Sequence, residues 1–399
     1  GLHAAKCMWG ILQALGGENL TKLTEVEDHA AWISAAYVAG SKAYEEDEFV
    51  KAEIDNLNKK IYGLHESGDI VSDFAQIYFT TRQWSYDYFD KFYADIDVVA
   101  FDKYYPESVT SGPGLEVVSQ NLVDVFSESE GAVVLDEAKS GLHTRVFVTS
   151  AGLPTYETKD LGVVRLENQD FNYEKRIIMT GNDQSEYMKV VFKALELIDP
   201  VLAAKQRHIA NGTVKFANGQ KMSSRLGNVT KATDVIEAVS LAMSAGDQAV
   251  KKDMVLGAIK YSLLKSKVGG DIAFDIEKSI SVEGNSGPYM QYALARANSV
   301  LAKAKKRGSI PKELTDGERN FALKLTDFGQ AIEVAIKDFS PHHVASFLYD
   351  LAQEFNRFYE KNRIIDDQRE VERLFLVNKY QKILKQGLEL LGVPTPEKI

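Results

Sequence analysis

Apolar residues recur every three or four positions along most of the chain, a spacing that predicts amphipathic helices. The first such pattern begins at Leu2 and ends before Gly16-Gly17, where two glycines can stop a helix. Residues 25–95 keep the helical pattern and are rich in charge. Aromatic residues at this spacing favour a helical core over a base-stacking surface; they are Phe74, Tyr78, Trp84, Tyr88, Phe89 and Phe92.

Strand-like runs follow this helical part. Short runs rich in β-branched and aromatic residues predict strands at 98–101 (VVAF), 132–135 (AVVL), 144–149 (TRVFVT) and 176–180 (RIIMT). Gly112-Pro113-Gly114 predicts a turn, and 115–126 a helix. Gly181-Asn182-Asp183 predicts a turn before a helix at 184–198. This last strand–turn–helix order is typical of a Rossmann-type unit, whose ligands bind at the carboxyl ends of the strands.

The last third of the chain carries helical patterns without strands. Pro288 follows Ser286 and Gly287, and Pro341 follows Ser340, so both prolines fit the first turn of a helix. Apolar stripes then run through 290–301, 344–359 and 377–391. Three long amphipathic helices predict a bundle. The pattern as a whole therefore predicts an α/β Rossmann-type domain followed by an all-α helical bundle.

Length and composition limit the class of protein. The chain has 399 residues, more than one ordinary core holds, so two or more domains are expected. No apolar run is long enough to span a bilayer, and no secretory signal is present. Cys7 is the only cysteine, which excludes an intrachain disulfide and disfavours a cysteine-based zinc site. These features are typical of a cytoplasmic protein.

The net charge of −10 disfavours a nucleic-acid partner only weakly, because phosphate contacts depend on local patches. Two clusters of cations could form such patches. Each could equally be a solvated face. They are Lys205/Arg207/Lys215/Lys221/Arg225/Lys231 and Lys303/Lys305/Lys306/Arg307.

The stretch 212–228, GTVKFANGQKMSSRLGN, combines strand-like, turn-forming and polar residues. Residues 214–216 predict a short strand, and Asn218-Gly219 a turn, since both residues tolerate positive φ. Lys221, Ser223 and Ser224 would then lie on a loop, where a lysine and two hydroxyls can bind the phosphates of ATP. The alternative is a solvated hairpin tip.

A second candidate site lies in 152–162, GLPTYETKDLG, which predicts a turn into a helix. Tyr156 and Asp160 are four residues apart and share a face if a helix starts here. A phenol and a carboxylate suit a guanidinium, which a carboxylate can bind in a two-bond fork. Alternatively, Asp160 is an early-turn acid that favours the helix dipole.

The order of residues in several of these stretches resembles the class I aminoacyl-tRNA synthetases, and among them the arginyl-tRNA synthetases. KMSSRLGN resembles the mobile KMSKS-type loop, and His208-Ile209 with Gly212-x-Val214-Lys215 resembles its lead-in. PTYETKDLG is similar to the family segment that holds arginine. GNSGPYMQYALARANSVL and GLELLGVPTPEKI are similar to the anticodon-binding domain.

The resemblance implies roles for individual residues. It assigns arginine binding to Tyr156, Asp160 and, from the family's D-Q-x-E-Y turn, Gln184. It places His208, Gly212 and Met222 in the ATP site and gives Lys221, Ser223 and Ser224 the catalytic contacts with the phosphates, with Mg²⁺ expected. The residues that match the first helix of the anticodon-binding domain are Tyr289, Gln291, Tyr292 and Arg296.

The implied reaction is ATP-dependent activation of L-arginine to arginyl-adenylate, followed by transfer to tRNA(Arg), and we expect a monomer. The implied domains are a class I catalytic Rossmann domain at 1–200 with an insertion at about 25–150, the KMSKS-type loop with a connecting helical region at 201–268, and an anticodon-binding helical bundle at 269–399. The resemblance also shows departures, since the family often has a His where this chain has Leu294 and a final Met where it has Ile399.

The first class I signature, an H-x-G-H element, is absent from the sequence, and residues 1–12 resemble the family stretch downstream of it. We therefore expect the chain to be a fragment with an incomplete Rossmann domain and little or no aminoacylation activity alone. Two other functions remain open. A non-catalytic RNA-binding module would bind tRNA without ATP affinity, and a nucleotidyltransferase of the same superfamily would bind ATP without an arginine preference.

Overall fold

Two parts of the chain each build a core of their own in the computed structural model, which describes residues 1–217, 232–244 and 247–399. The two compact units are Gly1–Tyr173 and Glu174–Ile399. In the described residues, helices dominate and the strands form three small sheets. None of the helices in these described ranges combines the length and apolar character needed to cross a membrane.

The first unit begins with a helical layer whose core lies between α1, α3, α4 and α5. Buried apolar side chains of these helices, such as Ile11, Ile54 and Phe74, form one cluster. The predicted helices at 2–15 and within 25–95 are therefore confirmed. The elements of this layer are α1 (Leu2–Leu15), α2 (Leu20–Leu23), α3 (His29–Glu46), α4 (Glu48–Ser67) and α5 (Asp73–Asp95).

The rest of the first unit is a small antiparallel sheet, in the order β1-β2-β3, with two long helices beside it in the chain. The predicted strands at 132–135 and 144–149 are confirmed. The elements are α6 (Glu107–Gln120), β1 (Ser127–Ser129), β2 (Ala132–Leu135), α7 (Glu137–Ser140), β3 (Arg145–Val148) and α8 (Tyr156–Phe171).

Two local predictions in this region are wrong. Residues 98–101 form no strand; Val99 is 89% exposed, and β-branched residues make a strand only where a neighbour pairs with them. Gly112-Pro113-Gly114 lies inside α6 rather than in a turn, and the helix ends at Gln120 rather than near 126. The reason is packing, because a Cβ on Gly114 would lie 2.1 Å from the Thr158 carbonyl oxygen of α8. A Cβ on Gly162 of α8 would likewise lie 2.1 Å from the carbonyl oxygen of Thr110.

The second unit opens with the predicted strand, turn and helix, and a further strand, which the pattern did not predict, completes a β–α–β motif. β4 and β5 pair in parallel, with Ile178 opposite His208 and Gly181 opposite Asn211. A 3₁₀ turn at Asn182–Gln184 leads from β4 into α9. Parallel strands joined through a helix are the unit of Rossmann-type folds. The elements are β4 (Arg176–Gly181), α9 (Ser185–Ile198), α10 (Pro200–Ala204) and β5 (Gln206–Asn211).

A second parallel pair and three helices follow. β6 pairs with β7, with Val214 opposite Ile272, which confirms the predicted strand at 214–216. Side chains of α11, α12, β7 and α13 share a small core that contains Val239, Met254 and Phe274. The elements are β6 (Val214–Phe216), α11 (Ala232–Ala242), α12 (Gln248–Leu264), β7 (Ile272–Phe274) and α13 (Ile276–Ile280).

The remaining helices form the predicted bundle. Ser286 caps α14, its hydroxyl accepting a hydrogen bond from the Tyr289 amide (3.1 Å), and Pro288 sits in the first turn. Fully buried aromatic side chains pack at the centre, where the rings of Phe355 and Tyr380 stack and that of Phe321 lies tilted beside them. The helices are α14 (Gly287–Lys303), α15 (Asp316–Thr326), α16 (Phe328–Asp338), α17 (His342–Lys361) and α18 (Glu370–Leu390).

Candidate functional site

The turn between β3 and α8 fixes the first candidate pair in the first unit. The Thr155 hydroxyl donates to the carbonyl oxygen of Val146 (2.9 Å), and the buried Thr158 hydroxyl donates to that of Phe147 (2.6 Å). Helix α8 then begins at Tyr156 itself. Tyr156 and Asp160 are consequently one turn apart on one face, as the spacing predicted. Tyr156 is 48% exposed, and Asp160 is half-buried.

Tyr156 lines a cavity of about 450 Å³ within the first unit. Aromatic and charged side chains dominate its wall, and the wall does not include Asp160. Of the two arginine-binding candidates in the first unit, Tyr156 therefore lines the cavity and Asp160 does not. The side chains that surround Tyr156 there include Tyr62, Tyr78, Arg82, Glu107 and Lys159.

Sequence reasoning missed an ion pair in this cavity. The Nζ atom of Lys159 lies 2.7 Å from Oε2 of Glu107 and 5.1 Å from the centre of the Tyr156 ring. Burial opposes the charge on Lys159, but hydrogen bonds to Glu107 and Tyr62 outweigh it and raise the pKa of the amine. The lysine side chain is 7% exposed and that of Glu107 54%, so the carboxylate faces the open space.

The Tyr156 phenol remains protonated at neutral pH. Burial is the main cause that raises the pKa of the Tyr156 hydroxyl above its ordinary value, and the negative charge of Glu107 is the second. A neutral phenol both donates and accepts hydrogen bonds. The cavity therefore offers several hydroxyl groups and the carboxylates of Glu66 and Glu107 to a cationic, planar ligand, beside the cations Arg82 and Lys159, of which Glu107 offsets the second.

The β4–β5 pair carries two candidates of the second unit. Gln184 ends the 3₁₀ turn after β4, is exposed, and donates through Nε2 to Oδ2 of Asp183 (3.2 Å). His208 lies in β5, with Nε2 2.8 Å from the Thr180 hydroxyl. Burial lowers the pKa of this imidazole, which favours the neutral form at physiological pH. Gln184 thus lies at the carboxyl end of β4, where a Rossmann-type unit binds ligands, whereas His208 lies in the middle of β5.

Gly212 lies just before the predicted nucleotide loop, at a close contact with a neighbouring segment. A Cβ on this residue would lie 2.1 Å from the carbonyl oxygen of Gly270, so only glycine fits. Asp271 then accepts hydrogen bonds from the Thr213 amide (2.8 Å) and from Nζ of Lys215 (2.6 Å). The predicted phosphate-binding residues, Lys221, Met222, Ser223 and Ser224, and the predicted turn at 218–219 lie outside the described residues.

Three of the four tRNA candidates share one face of α14. Tyr289 is half-buried, and its hydroxyl accepts from Nδ2 of Asn356 (2.8 Å). Tyr292 is 40% exposed. Arg296 donates to Oδ1 of Asn356 (2.7 Å) and lies 5.9 Å from the centre of the Tyr359 ring. Positions 289, 292 and 296 recur at helical spacing, so this face presents two aromatic rings and a guanidinium.

Gln291 points elsewhere, which corrects the expectation that its side chain contacts RNA. It is fully buried, and its Nε2 donates to the carbonyl oxygens of Asp253 and Pro394, both at 2.9 Å. A Cβ on Gly257 of α12 would lie 2.5 Å from the same amide nitrogen. The side chain therefore holds α12 and the C-terminal segment against α14 and has no surface to offer an RNA.

A groove of about 590 Å³ adjoins Arg296, which we call the α14 groove. Helix α14 and the end of α17 with the following segment, 359–366, line it. Its cations outnumber its two acids, and Tyr359 is 40% exposed. Sequence reasoning missed Tyr359 and Arg363, although the alternation of aromatic and basic residues in RFYEKNR could have indicated them. The charged lining residues are Arg296, Lys303, Glu360, Lys361, Arg363 and Asp366.

Comparison with known proteins accounts for both units. A family model described as "tRNA synthetases class I (R), catalytic domain" matches residues 8–276, and one described as "DALR anticodon binding domain" matches residues 290–399. The arginine–tRNA ligase of Phocaeicola vulgatus is 30% identical over 446 aligned positions, which cover 100% of this chain and 73% of the relative. The arginine–tRNA ligase of Bacteroides fragilis is 28% identical, covering 100% of this chain and 72% of its own length.

The solved structure of the Thermus thermophilus arginyl-tRNA synthetase has the same fold. It superposes with a TM-score of 0.77 at 24% identity, over 100% of this chain and 74% of that structure. The expected fold class, a Rossmann-like catalytic domain followed by a helical anticodon-binding domain, is thereby confirmed. The chain belongs to the class I arginyl-tRNA synthetase family.

Proposed function

We propose that this chain serves as an arginine–tRNA ligase. In the reaction, a carboxylate oxygen of arginine forms a bond to the α-phosphorus of ATP, and the bond from that phosphorus to the bridging oxygen breaks, releasing pyrophosphate. The 2′-hydroxyl of the terminal tRNA ribose then attacks the acyl carbon and releases AMP. The protein contributes positioning and charge stabilisation. The family membership of both units in one chain carries this proposal.

Arginine is assigned to Tyr156, Asp160 and Gln184. A carboxylate can bind a planar guanidinium in a fork, which the tetrahedral ammonium of lysine cannot match. The start of α8 at Tyr156 supports the pairing of the first two residues on one face. The position of Gln184 after β4 supports its role, since ligands in such sheets bind at the carboxyl ends of the strands. Glu107 is added to the arginine site because its carboxylate faces the cavity beside Tyr156.

ATP and Mg²⁺ are assigned to the second unit. His208 and Gly212 would lie near the adenosine, together with Met222. Lys221, Ser223 and Ser224 would bind the phosphates, with Lys221 neutralising the charge that develops on the β- and γ-phosphates. The tight framework of Gly212, Thr213 and Asp271 supports an anchored start for such a loop. Mg²⁺ would be held by the phosphates of ATP, as is common where the protein offers few ligands.

The bundle is assigned to tRNA(Arg). Tyr292, Arg296 and the half-buried Tyr289 would meet the anticodon, and Tyr359 and Arg363 extend the surface along the α14 groove. Exposed aromatic rings can stack on unpaired bases, and guanidinium groups can bind phosphate. The proposal takes residues 1–200, 201–268 and 269–399 as the catalytic, connecting and anticodon-binding domains of a cytoplasmic monomer.

The test is ATP-dependent charging of a tRNA(Arg) transcript with labelled amino acid, using the protein as the cell produces it, because this chain, which has no H-x-G-H element, is expected to have little or no aminoacylation activity alone. We expect arginine to be incorporated, lysine not to be, and the product to be released by mild base as an ester. RNA binding without ATP affinity would instead indicate a binding module. ATP binding without an arginine preference would indicate a nucleotidyltransferase. Either result overturns the proposal.

A further inference from the structure

A second cation-lined groove lies in the same unit, at the other end of α17 from the α14 groove. It has a volume of about 560 Å³. Three segments line it: residues 207–210 of β5, residues 267–269 after α12, and residues from 337–343, where α16 ends and α17 begins. We call it the β5 groove. Three segments that are distant in sequence therefore contribute to it, and each brings one exposed cation: Arg207, Lys267 and Lys337.

Arg207, Lys267 and Lys337 lack anionic partners in the part of the chain that the structure describes. Among the described residues, none of them forms an ion pair within 4 Å, although the chain carries a net charge of −10. Asp338 is the one acid of the lining, and its carboxylate lies 2.9 Å from Nε2 of His343. Three exposed charges of one sign in one groove repel each other, so an anionic ligand would stabilise them.

The walls of the groove are held in place. Phe339 adopts a positive φ of 52°, unusual for a bulky residue, and its ring lies 5.4 Å from the guanidinium carbon of Arg207. The Ser340 hydroxyl lies 2.7 Å from Nδ1 of His342. On the opposite wall, Asn182 donates to the carbonyl oxygen of Gly269 (2.9 Å). The groove is thus formed before a ligand arrives, which lowers the entropic cost of binding.

The spread of the charges favours a polyanion over a single phosphate. Exposed cations bind one small anion weakly, because such pairs contribute about 0–1 kcal/mol each. The adenosine candidate His208 is the neighbour of Arg207 in β5 and also lines this groove, so ATP affinity distinguishes a nucleotide from a polyanion as its ligand. The α14 groove begins at Tyr359, 17 residues along α17 from His342, which is about 26 Å at 1.5 Å per residue. A ligand that meets both grooves must be a long polyanion.

We propose that the β5 groove binds the phosphodiester backbone of the tRNA at a distance from the anticodon, through Arg207, Lys267 and Lys337. The identity of the RNA rests on the proposed function, whereas the location of the contact rests on the cations of the groove. The guanidinium of Arg207 can bind a phosphate through two hydrogen bonds, while the lysines act as point charges. The contact is to the backbone, so it adds affinity and register without reading sequence.

The test compares the wild type with the triple variant Arg207→Gln/Lys267→Gln/Lys337→Gln by fluorescence anisotropy. The probes are a labelled tRNA(Arg) transcript and its isolated anticodon stem-loop, each titrated between 50 and 200 mM salt. Loss of three phosphate contacts should reduce the salt slope for the full tRNA by about 2 to 3. Between these salt concentrations the wild type should therefore lose roughly 16- to 64-fold more affinity than the variant. The affinity for the stem-loop should be equal in the two proteins.

The matched control is Lys312→Gln/Arg319→Gln/Lys379→Gln, which removes the same charges from exposed positions of the same unit that line neither groove. Its slope should stay within about 0.5 of the wild type. An unchanged slope in the groove variant, an equal loss in the control, or an equal loss for the stem-loop would each overturn the proposal. So would a parallel loss of ATP affinity, which would make the groove a nucleotide site. Failure of the proposed function is separate, since a wild type that does not charge tRNA with arginine still allows the slopes to be compared.

Discussion

A buried carboxylate in the helical bundle gives the most quantitative prediction of stability. Glu318 is fully buried at the start of α15, and its two oxygens accept hydrogen bonds from Nε of Arg369 (2.7 Å), from Nη2 of the same residue (2.5 Å) and from Nε of Arg373 (3.2 Å). It also accepts from the Thr315 amide (3.0 Å) as half of a capping box. Glu318→Gln removes the charge but can keep the capping bond.

The size of the effect follows from the pKa. Burial opposes ionisation of Glu318, but the hydrogen bonds from Arg369, Thr315 and Arg373 outweigh it and lower the pKa from 4.5 to about 2. Each tenfold change in an acid constant corresponds to about 1.4 kcal/mol, so the ionised form adds about 3 kcal/mol to the free energy of unfolding at neutral pH. Arg369 and Arg373 keep other partners and some exposure, so we expect the variant to lose about 2–3 kcal/mol.

The assay is urea unfolding followed by far-ultraviolet circular dichroism. With a slope of about 2–3 kcal/mol per molar urea, the midpoint of the bundle transition should fall by about 1 M. The three tryptophans, Trp9, Trp32 and Trp84, all lie in the first unit, so their fluorescence transition serves as an internal reference and should move little. Glu333→Gln is the control, since Glu333 is exposed on α16, and it should change stability by about 0.5 kcal/mol or less.

The pH dependence has a definite sign. A carboxylate whose pKa is lower in the folded state stabilises above its unfolded pKa, and the contribution disappears as the pH falls through the folded value. The difference between wild type and Glu318→Gln should therefore be full above about pH 4.5 and should shrink to less than half by about pH 3. A midpoint shift under about 0.3 M at neutral pH, or a difference that grows on acidification, would refute the reasoning.

Two further substitutions test the packing. Gly162→Ala places a Cβ 2.1 Å from the Thr110 carbonyl oxygen and should lower the free energy of unfolding, followed by tryptophan fluorescence, by about 2 kcal/mol or more. Gly112→Ala is the control, because Gly112 lies in the same helix pair with open space around it. This second substitution should leave the stability unchanged or raise it by up to about 1 kcal/mol. Equal effects of the two would contradict the close contact between α6 and α8. Tyr261→Phe removes a buried hydroxyl that donates to Asn285 Oδ1 (2.7 Å). It should lower the free energy of unfolding, followed by circular dichroism, by about 1–3 kcal/mol. A stability equal to that of the wild type would show that this hydrogen bond does not contribute.

The helices and their starting points were largely predictable from the sequence. Ser286 and Pro288 set the start of α14, and the turn before Tyr156 sets that of α8, because capping residues and proline act through local backbone geometry. The same locality explains the error at Gly112-Pro113-Gly114. These residues are typical of turns, but there Gly114 serves a close approach to α8 that no local pattern reveals.

The candidate sites were predictable only in part, for a related reason. Tyr156 and Asp160 are four residues apart, so their shared face follows from spacing alone. Glu107 and Lys159 are 52 residues apart, and only the packing of α6 on α8 brings their charges together. Gln291 shows the converse, since its match to the family's first helix predicted a contact with RNA, whereas the packing of α12 buries it.

The central claim is that Tyr156 and Asp160 select arginine by its flat cation, and a binding titration measures this most directly. Arginine and lysine are titrated by calorimetry into the wild type, Asp160→Asn and the control Asp124→Asn, which alters an exposed carboxylate of the same unit. The account predicts that the wild type and Asp124→Asn prefer arginine by tenfold or more, about 1.4 kcal/mol, and that Asp160→Asn loses most of this preference. An arginine preference that survives intact in Asp160→Asn, or a wild type that binds the two amino acids equally, would contradict it.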